Sequence, residues 1–128
     1  LALVGLRDLD AAERTHIKKW KLSAFTMRAL DERGVRSVLE DAIAVATKDT
    51  AGLWVSFDMD VIDPEEAPGV GTAVPGGMTY REAHLAMEML ADTGKLIGLD
   101  MVEVNPVLDE RNRTAEIACE LICSALGK

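Results

Sequence analysis

Short apolar runs alternate along this chain with segments in which apolar residues recur every three or four positions. Leu1–Leu6, Gly52–Asp58 and Lys95–Val104 are runs of the first kind, and acidic residues lie at or just beyond their carboxyl ends. Runs of this length are typical of buried parallel strands. We predict a fourth, shorter strand over Ser23–Met27.

Four segments are predicted to be helices. Val35–Ala46 and Ala115–Ala125 carry apolar residues at helical spacing, so each has one face suited to burial. Thr79–Glu82 has the sequence of an N-terminal capping box, and a third helix is expected to begin there. The fourth is a short helix over about Asp10–Lys19, which also opens with an acid followed three residues later by Glu.

The alternation of strands and helices predicts the α/β class. We expect a parallel β-sheet flanked by helices on both faces, built as a single domain over residues 1–128. The chain begins at Leu1 inside the first predicted strand and without an initiator Met, which is an unusual start for a domain. It is therefore predicted to be the carboxyl-terminal part of a longer protein.

Acidic residues collect where the predicted strands end. Asp8 and Asp10 follow the first strand, Asp58 and Asp60 follow the strand at the middle of the chain, and Glu103 lies near the end of the last strand. Ligands of such folds bind at the carboxyl ends of the strands, so these side chains are expected to share one crevice. Crowded carboxylates repel one another unless a cation neutralises them. The pattern predicts a divalent metal or a cationic substrate, and oxygen ligands favour Mg²⁺, Ca²⁺ or Mn²⁺ over zinc.

Asp58-Met59-Asp60 is the sharpest of these motifs. Alternate residues of a strand point to the same side, so both carboxylates can face one ion or a pair of ions. Taken alone the motif is weak, because acids at strand ends often cap the next element or face water. The Pro- and Gly-rich stretch Val61–Met78 follows it, and a loop of that length in a compact domain is usually functional.

Several stretches of the chain, in the right order, closely resemble the ureohydrolase family. This family comprises the binuclear manganese hydrolases that include arginase and agmatinase. The first and last stretches are most similar to its arginase branch, and the resemblance covers essentially the whole chain. The stretches are Gly5–Asp10, Ser56–Pro64, Ala67–Thr72, Gly76–Glu82 and Met101–Pro106.

The resemblance implies a three-layer αβα fold whose complete active site holds two manganese ions. Asp58 would bridge both ions and Asp60 would bind one of them. Hydroxide held by the metals would attack the guanidinium carbon of L-arginine, giving L-ornithine and urea. Asp58 and Glu103 are the residues expected to take part directly in catalysis.

The resemblance also implies how the substrate is held. Glu103 would pair with the guanidinium, and a carboxylate suits this flat group with its several donors. Asp10 and Glu13 would lie near the α-ammonium group, and Thr72 would line the pocket beside the metals. Agmatinase, or another hydrolase of guanidino substrates, is the alternative. Asp10 and Glu13 favour arginine because they suit an amino-acid substrate.

The family's histidine-containing motifs, Gly-Gly-Asp-His and Asp-Ala-His-x-Asp, lie upstream in the family and are absent here. His16 and His84 do not replace them, since they occupy no ligand position of the family and are expected to be partly exposed helix residues. The amino-terminal metal-binding half is thus missing, and the chain is expected to be inactive alone. The alternative of another class is a non-catalytic fragment or metal-binding module. A phosphatase of the haloacid-dehalogenase type is disfavoured because Val61 stands where that family has Gly.

The composition of the chain limits its expected partners and location but indicates no reaction. The formal net charge is -8, which argues against nucleic acid or an anionic membrane as a partner. Cys119 and Cys123 lie four residues apart in a helical pattern and are expected to be reduced and half-buried, which is consistent with a cytoplasmic protein. The resemblance implies a homo-oligomer, a trimer or hexamer, for the full-length protein.

Overall fold

The computed structural model describes residues 1–128 as four parallel strands, five α-helices and one turn of 3-10 helix. The α/β class predicted from the alternation is confirmed. In chain order the elements are β1 (Ala2–Leu6), α1 (Ala11–Trp20), β2 (Ser23–Thr26), α2 (Met27–Arg33), α3 (Val35–Thr47), β3 (Leu53–Asp58), the 3-10 turn (Met59–Val61), α4 (Tyr80–Asp92), β4 (Leu96–Val102) and α5 (Arg113–Ala125).

The strands form two separate parallel pairs. β1 pairs with β2, β3 pairs with β4, and no backbone ladder joins one pair to the other. Each pair therefore has its own apolar core. Helices α2 and α3 pack on β1 and β2, and α4 joins the two regions because it contacts both α3 and α5. The continuous sheet expected from the sequence is thus present in this chain as two parts.

The inner face of the β3–β4 pair carries the larger core. Alternate strand residues point inward and meet the apolar stripes of α4 and α5, which is what the helical spacing of those segments predicts. Met87 and Leu121 are completely buried at the centre of this contact. The inward residues of the two strands are Val55, Phe57, Leu99 and Met101.

One helix was not anticipated from the sequence. The strand predicted over Ser23–Met27 ends one residue early, and α2 begins at once with Met27. The hydroxyl of Thr26 accepts a hydrogen bond from the N–H of Ala29, at 3.4 Å, and so caps this helix. A single side chain at the boundary switches the backbone from strand to helix without an intervening loop.

Helix α1 has a different character, because it has no buried residue. His16 is exposed, as expected, and its ring stacks on that of Trp20 with 4.9 Å between the ring centroids. Trp20 itself is 61% exposed. The structure therefore places α1 on the surface, with a capping box at its start and Lys21 as a left-handed C-cap.

Two predictions about side-chain burial are wrong. His84 is only 8% exposed, and its Nδ1 lies 2.8 Å from the Ser124 hydroxyl between α4 and α5. Cys119 and Cys123 are exposed rather than half-buried, since α5 turns Leu121 inward and the cysteines outward. Both errors have the same cause, because helical spacing alone does not say which edge of an apolar stripe a neighbouring helix covers. None of the helices has the length and apolar character needed to cross a membrane.

Candidate metal and substrate site

Asp58 and Asp60 lie together at the carboxyl end of β3. Asp58 is the last residue of the strand, and its Oδ1 accepts the N–H of Asp60 at 3.0 Å. This bond begins the 3-10 turn, which is anchored by the fully buried Met59. The two carboxylates are thus brought together by a capped turn. Strand alternation, on which the sequence argument relied, does not apply to Asp60.

The electrostatics of Asp60 are those of a crowded carboxylate. Burial raises the pKa of Asp60, and the nearby Asp58 raises it further. Arg7 acts in the opposite direction, and Glu103 adds a smaller upward contribution to the Asp60 pKa. Asp58, Asp60 and Glu103 are therefore close enough to interact. A bound cation would remove the repulsion among them.

Glu103 reaches this site from the neighbouring strand. Val102 pairs with Asp58 in the β3–β4 ladder, and Glu103 follows directly with φ of 64°. This left-handed backbone is unfavourable for a residue with a side chain, and it ends the strand. Glu103 Oε2 would lie 3.5 Å from a Cβ placed on Gly71, so its carboxylate lies beside the loop that carries the exposed Thr72.

Arg7 holds the same loop from the other strand pair. Its Nε and Nη2 both donate to the carbonyl of Val74, at 3.1 and 2.8 Å. Its Nη1 donates to the carbonyl of Val61 at 3.4 Å, and Nη2 also donates to the carbonyl of Asp60. Arg7 was not among the residues predicted from the sequence to form the site. It lies between an apolar strand and the acids Asp8 and Asp10, and this position is the feature that could have indicated it.

Asp10 and Glu13 cap the start of α1. Asp10 Oδ1 accepts the N–H of Glu13, and Glu13 Oε2 accepts the N–H of Asp10, both at 2.8 Å. The pair is the predicted capping box of α1. No hydrogen bond or ion pair links either residue to Asp58, Asp60 or Glu103. Their assignment to substrate binding stays a prediction.

The donor set fits part of a divalent metal site. Neither Asp58, Asp60 nor Glu103 forms an ion pair with a Lys or Arg, so their charge is available to a ligand. Carboxylate oxygens are ligands of hard divalent cations. No group of three or more His, Cys, Asp or Glu side chains in this chain is arranged to hold a metal. The chain therefore offers two adjacent carboxylates, and a complete coordination shell needs further ligands.

Parallel strands with interacting carboxylates at one end define an α/β protein with an acidic edge of its sheet. The profile described as the Arginase family matches residues 1–127. The arginase of Bacillus caldovelox is 46% identical over 128 residues, which is 100% of this chain and 43% of that protein. This chain belongs to the arginase family.

Solved structures of members of this family have the same fold as this chain. A crystal structure of arginase from Bacillus subtilis superimposes with a TM-score of 0.96 at 45% identity, covering 99% of this chain and 45% of that one. A formimidoylglutamase from the same species gives 0.91 at 30% identity, covering 97% and 39%. The chain thus spans less than half the length of these relatives, and it corresponds to their carboxyl-terminal part.

Proposed function

We propose that this chain forms the carboxyl-terminal part of an arginase-type enzyme that hydrolyses L-arginine to L-ornithine and urea. The proposal is supported by membership of the arginase family and by the convergence of Asp58, Asp60 and Glu103 at one edge of the β3–β4 pair. That convergence is the observation on which it depends. Three interacting carboxylates, none of them in an ion pair and with Arg7 only nearby, are suited to a cation, and both the metals and the substrate guanidinium are cationic.

Asp58 and Asp60 are the proposed metal ligands. Asp58 and Asp60 would hold two manganese ions, with the remaining ligands supplied from outside this chain. When bound, such a pair of ions supplies a water-derived nucleophile at neutral pH and stabilises the negative charge that develops on the substrate. The raised pKa of Asp60 fits this role, because a cation would restore its preference for the ionised form.

Glu103 is the proposed partner of the guanidinium. Its position beside Gly71 and Thr72 leaves the carboxylate at the edge of the loop, where a planar substrate group could approach. A carboxylate can accept two parallel N–H bonds from such a group and so fix its orientation. Thr72 would line the pocket. Asp10 and Glu13 would bind the substrate α-ammonium with the carboxylate oxygens that their capping box leaves free.

The remaining parts of the proposal concern the complete protein. It would form a homo-oligomer, a trimer or hexamer, and would act in the cytoplasm, in keeping with the free Cys119 and Cys123. The 128-residue chain alone is proposed to be inactive, because it offers only two adjacent ligand carboxylates.

Urea release with added Mn²⁺ tests the proposal. The full-length protein that carries this chain should turn over L-arginine in preference to agmatine, and the 128-residue chain should release none. Glu103→Gln should abolish turnover, whereas the matched change at the exposed Asp92, to Asn, should leave it intact. If the protein prefers agmatine, the proposed activity is that of an agmatinase and not of an arginase. Full activity of Glu103→Gln would remove the proposed role of that residue.

A further inference from the structure

Residues 67–71 form the part of the long loop that lies beside Glu103, and their side chains anchor this segment in the core. Ala67 and Val70 are buried among the apolar residues of the β3–β4 pair. A Cβ placed on Gly71 would lie 3.5 Å from Glu103 Oε2, so the segment forms one wall of the space around that carboxylate. The position of the segment therefore affects how a substrate group can approach Glu103.

Gly69 attaches this segment to the chain that follows β4. Its N–H donates to the hydroxyl of Thr114 at 2.8 Å, and its carbonyl accepts the N–H of Asn105 at 2.7 Å. A Cβ at Gly69 would lie 2.5 Å from the Cβ of Asp109, so a larger residue would displace one of the two segments. Gly69 is thus fixed by both of its backbone groups and by its close approach to Asp109.

Thr114 holds Gly69 from the first turn of α5. Thr114 is completely buried, and its own N–H donates to both carboxylate oxygens of Asp109, at 3.0 and 3.1 Å. A β-branched side chain has few rotamers, so the Thr114 hydroxyl is presented to Gly69 in a defined position. A buried N–H group that loses its acceptor is unfavourable, and the Gly69 N–H is therefore expected to stay paired with Thr114.

Glu103 depends on its neighbours because its backbone is strained. Its φ is 64°, and a residue with a side chain keeps such a conformation only where the surrounding structure holds it. On one side of Glu103, Val102 is held in the β3–β4 ladder. On the other side, Asn105 is held by its hydrogen bond to Gly69. The second of these attachments depends on Thr114.

We propose that Thr114 is a positioning residue for Glu103. Acting through Gly69 and Asn105, the Thr114 hydroxyl keeps the Glu103 backbone in its left-handed conformation and the Glu103 carboxylate beside Gly71. Thr114 is buried and does not itself contact the substrate. The proposal rests on the proposed function, in which Glu103 pairs with the substrate guanidinium.

Two substitutions of Thr114 in the full-length protein that carries this chain test the proposal. Thr114→Val keeps the branched shape and removes the acceptor, whereas Thr114→Ser keeps the hydroxyl. Thr114→Val should raise KM for L-arginine at least about tenfold, because a misplaced carboxylate pairs poorly with the guanidinium, and Thr114→Ser should stay near wild type. A variant that is only less stable would instead lower kcat, by reducing the folded fraction, and leave KM unchanged.

Thr93→Val is the matched control. The Thr93 hydroxyl also accepts a backbone N–H, that of Lys95 at 3.1 Å, but it does so at the end of α4. Its removal should leave KM unchanged. Gly69→Ala is a second variant, because it displaces the same segment while the Thr114 hydroxyl stays in place. It should raise KM as Thr114→Val does, and it decides the question if Thr114→Val does not fold.

Amide hydrogen exchange in the same proteins gives a measurement that does not depend on activity. The N–H groups of Gly69 and Asn105 should exchange at least about tenfold faster in Thr114→Val than in wild type, and at the wild-type rate in Thr114→Ser and Thr93→Val. The proposal is overturned if Asn105 exchanges equally in all variants, or if Thr114→Val keeps the wild-type KM. If the wild-type protein releases no urea, the proposed function fails, and exchange at Asn105 alone decides whether Thr114 positions the segment that carries Glu103.

Discussion

Two groups of acidic side chains in this molecule differ in whether their surroundings favour the ionised form. The capping acids, Asp10, Asp63 and Asp109, accept hydrogen bonds from backbone N–H groups. The site acids, Asp58, Asp60 and Glu103, crowd together at the end of the β3–β4 pair. Asp58 also accepts one backbone N–H, but the pKa of Asp60 is raised, whereas the pKa of Asp63, three residues further on, is lowered.

The capping acids stabilise the fold through hydrogen bonds that favour their ionised form. The environment of Asp60 instead makes its negative charge unfavourable in the folded chain. Hydrogen bonds to the N–H groups of Glu65, Gly77 and Gly76 favour the ionised form of Asp63. Only the nearby charge of Arg7 favours the ionised form of Asp60, and burial and the neighbouring carboxylates outweigh it and raise the pKa of Asp60. A site that disfavours its own charge in the absence of a ligand is typical of functional residues.

Removing a site acid should have the largest effect, and only on ligand binding. Asp60→Asn in the 128-residue chain should weaken Mn²⁺ binding at least about tenfold, since even partners of metal ligands contribute that much. Thermal stability should stay the same or rise, because a repelled charge is lost. Electron paramagnetic resonance of free Mn²⁺ measures the binding. A marked loss of stability with unchanged binding would place Asp60 among the capping acids.

Removing a capping acid should lower the stability of the fold and leave metal binding unchanged. Asp109 accepts the N–H groups of Glu110, Thr114 and Ala115 at 2.9 to 3.2 Å and so holds the loop against the start of α5. Asp109→Ala should destabilise the chain by about 2 kcal/mol, because these donors lose a charged partner. Chemical denaturation measures the change. An unchanged unfolding midpoint would show that water replaces the carboxylate without loss.

Asp10 tests whether one residue can belong to both groups. Asp10→Ala removes half of the capping box of α1 and should lower stability by about 1 kcal/mol, as for other N-caps. In the full-length protein the same variant should also raise KM for arginine. Asp10→Asn, which can still cap, serves as the control, and it should keep the stability while losing affinity for the substrate. Equal KM values for wild type and both variants would remove Asp10 from the substrate site.

Glu103 should show the opposite sign of stability change from the capping acids. Its φ of 64° suits Gly better than any residue with a Cβ. Glu103→Gly should therefore leave stability unchanged or raise it by up to about 1 kcal/mol, while removing the proposed guanidinium partner. Glu103→Ala is the matched comparison, because it removes the carboxylate and keeps the strain. If Glu103→Gly is less stable than Glu103→Ala, then the left-handed backbone at residue 103 does not destabilise the fold.

The smallest effect concerns pH. The pKa of Asp63 is lower in the fold than its usual value, so the unfolded chain takes up this proton more readily. Its contribution is present above the ordinary Asp pKa of about 3.9 and is lost as the pH falls through the lower folded value. Asp63→Asn should flatten the stability profile over that acid range, and Asp92→Asn should not. Identical profiles for wild type and Asp63→Asn would contradict the assigned contribution.

Much of the fold could be predicted because its signals are local. Thr79 and Glu82 form the expected capping box, Asp10 and Glu13 form another, and β3 lies within the predicted run. Five acids were predicted to share one crevice, because parallel strands place their carboxyl ends at one edge. Of these, Asp58, Asp60 and Glu103 interact, whereas Asp10 caps α1. Strand alternation does not account for the position of Asp60, because a turn of 3-10 helix places its carboxylate beside that of Asp58.

Other features could not be predicted because they depend on residues far apart in sequence. Arg7 binds carbonyl groups more than fifty positions away, and no local pattern identifies such a contact. His84 is buried because α5 lies over one edge of α4, a detail that helical spacing does not contain. The capacity of a side chain to bond is a property of its type, whereas its partner is set by the packing of distant elements.

By itself the sequence determined the order of the strands and of every helix except α2, the capping boxes of α1 and α4, and the placement of acids at strand ends, because these follow from short-range backbone preferences and periodicity. Only the tertiary structure decided that the strands divide into two pairs, that Arg7 binds the carbonyl groups of Val61 and Val74, and that His84 is buried while Trp54 is exposed. The physical reason is that charge repulsion and burial depend on distances through space, which short-range patterns do not encode.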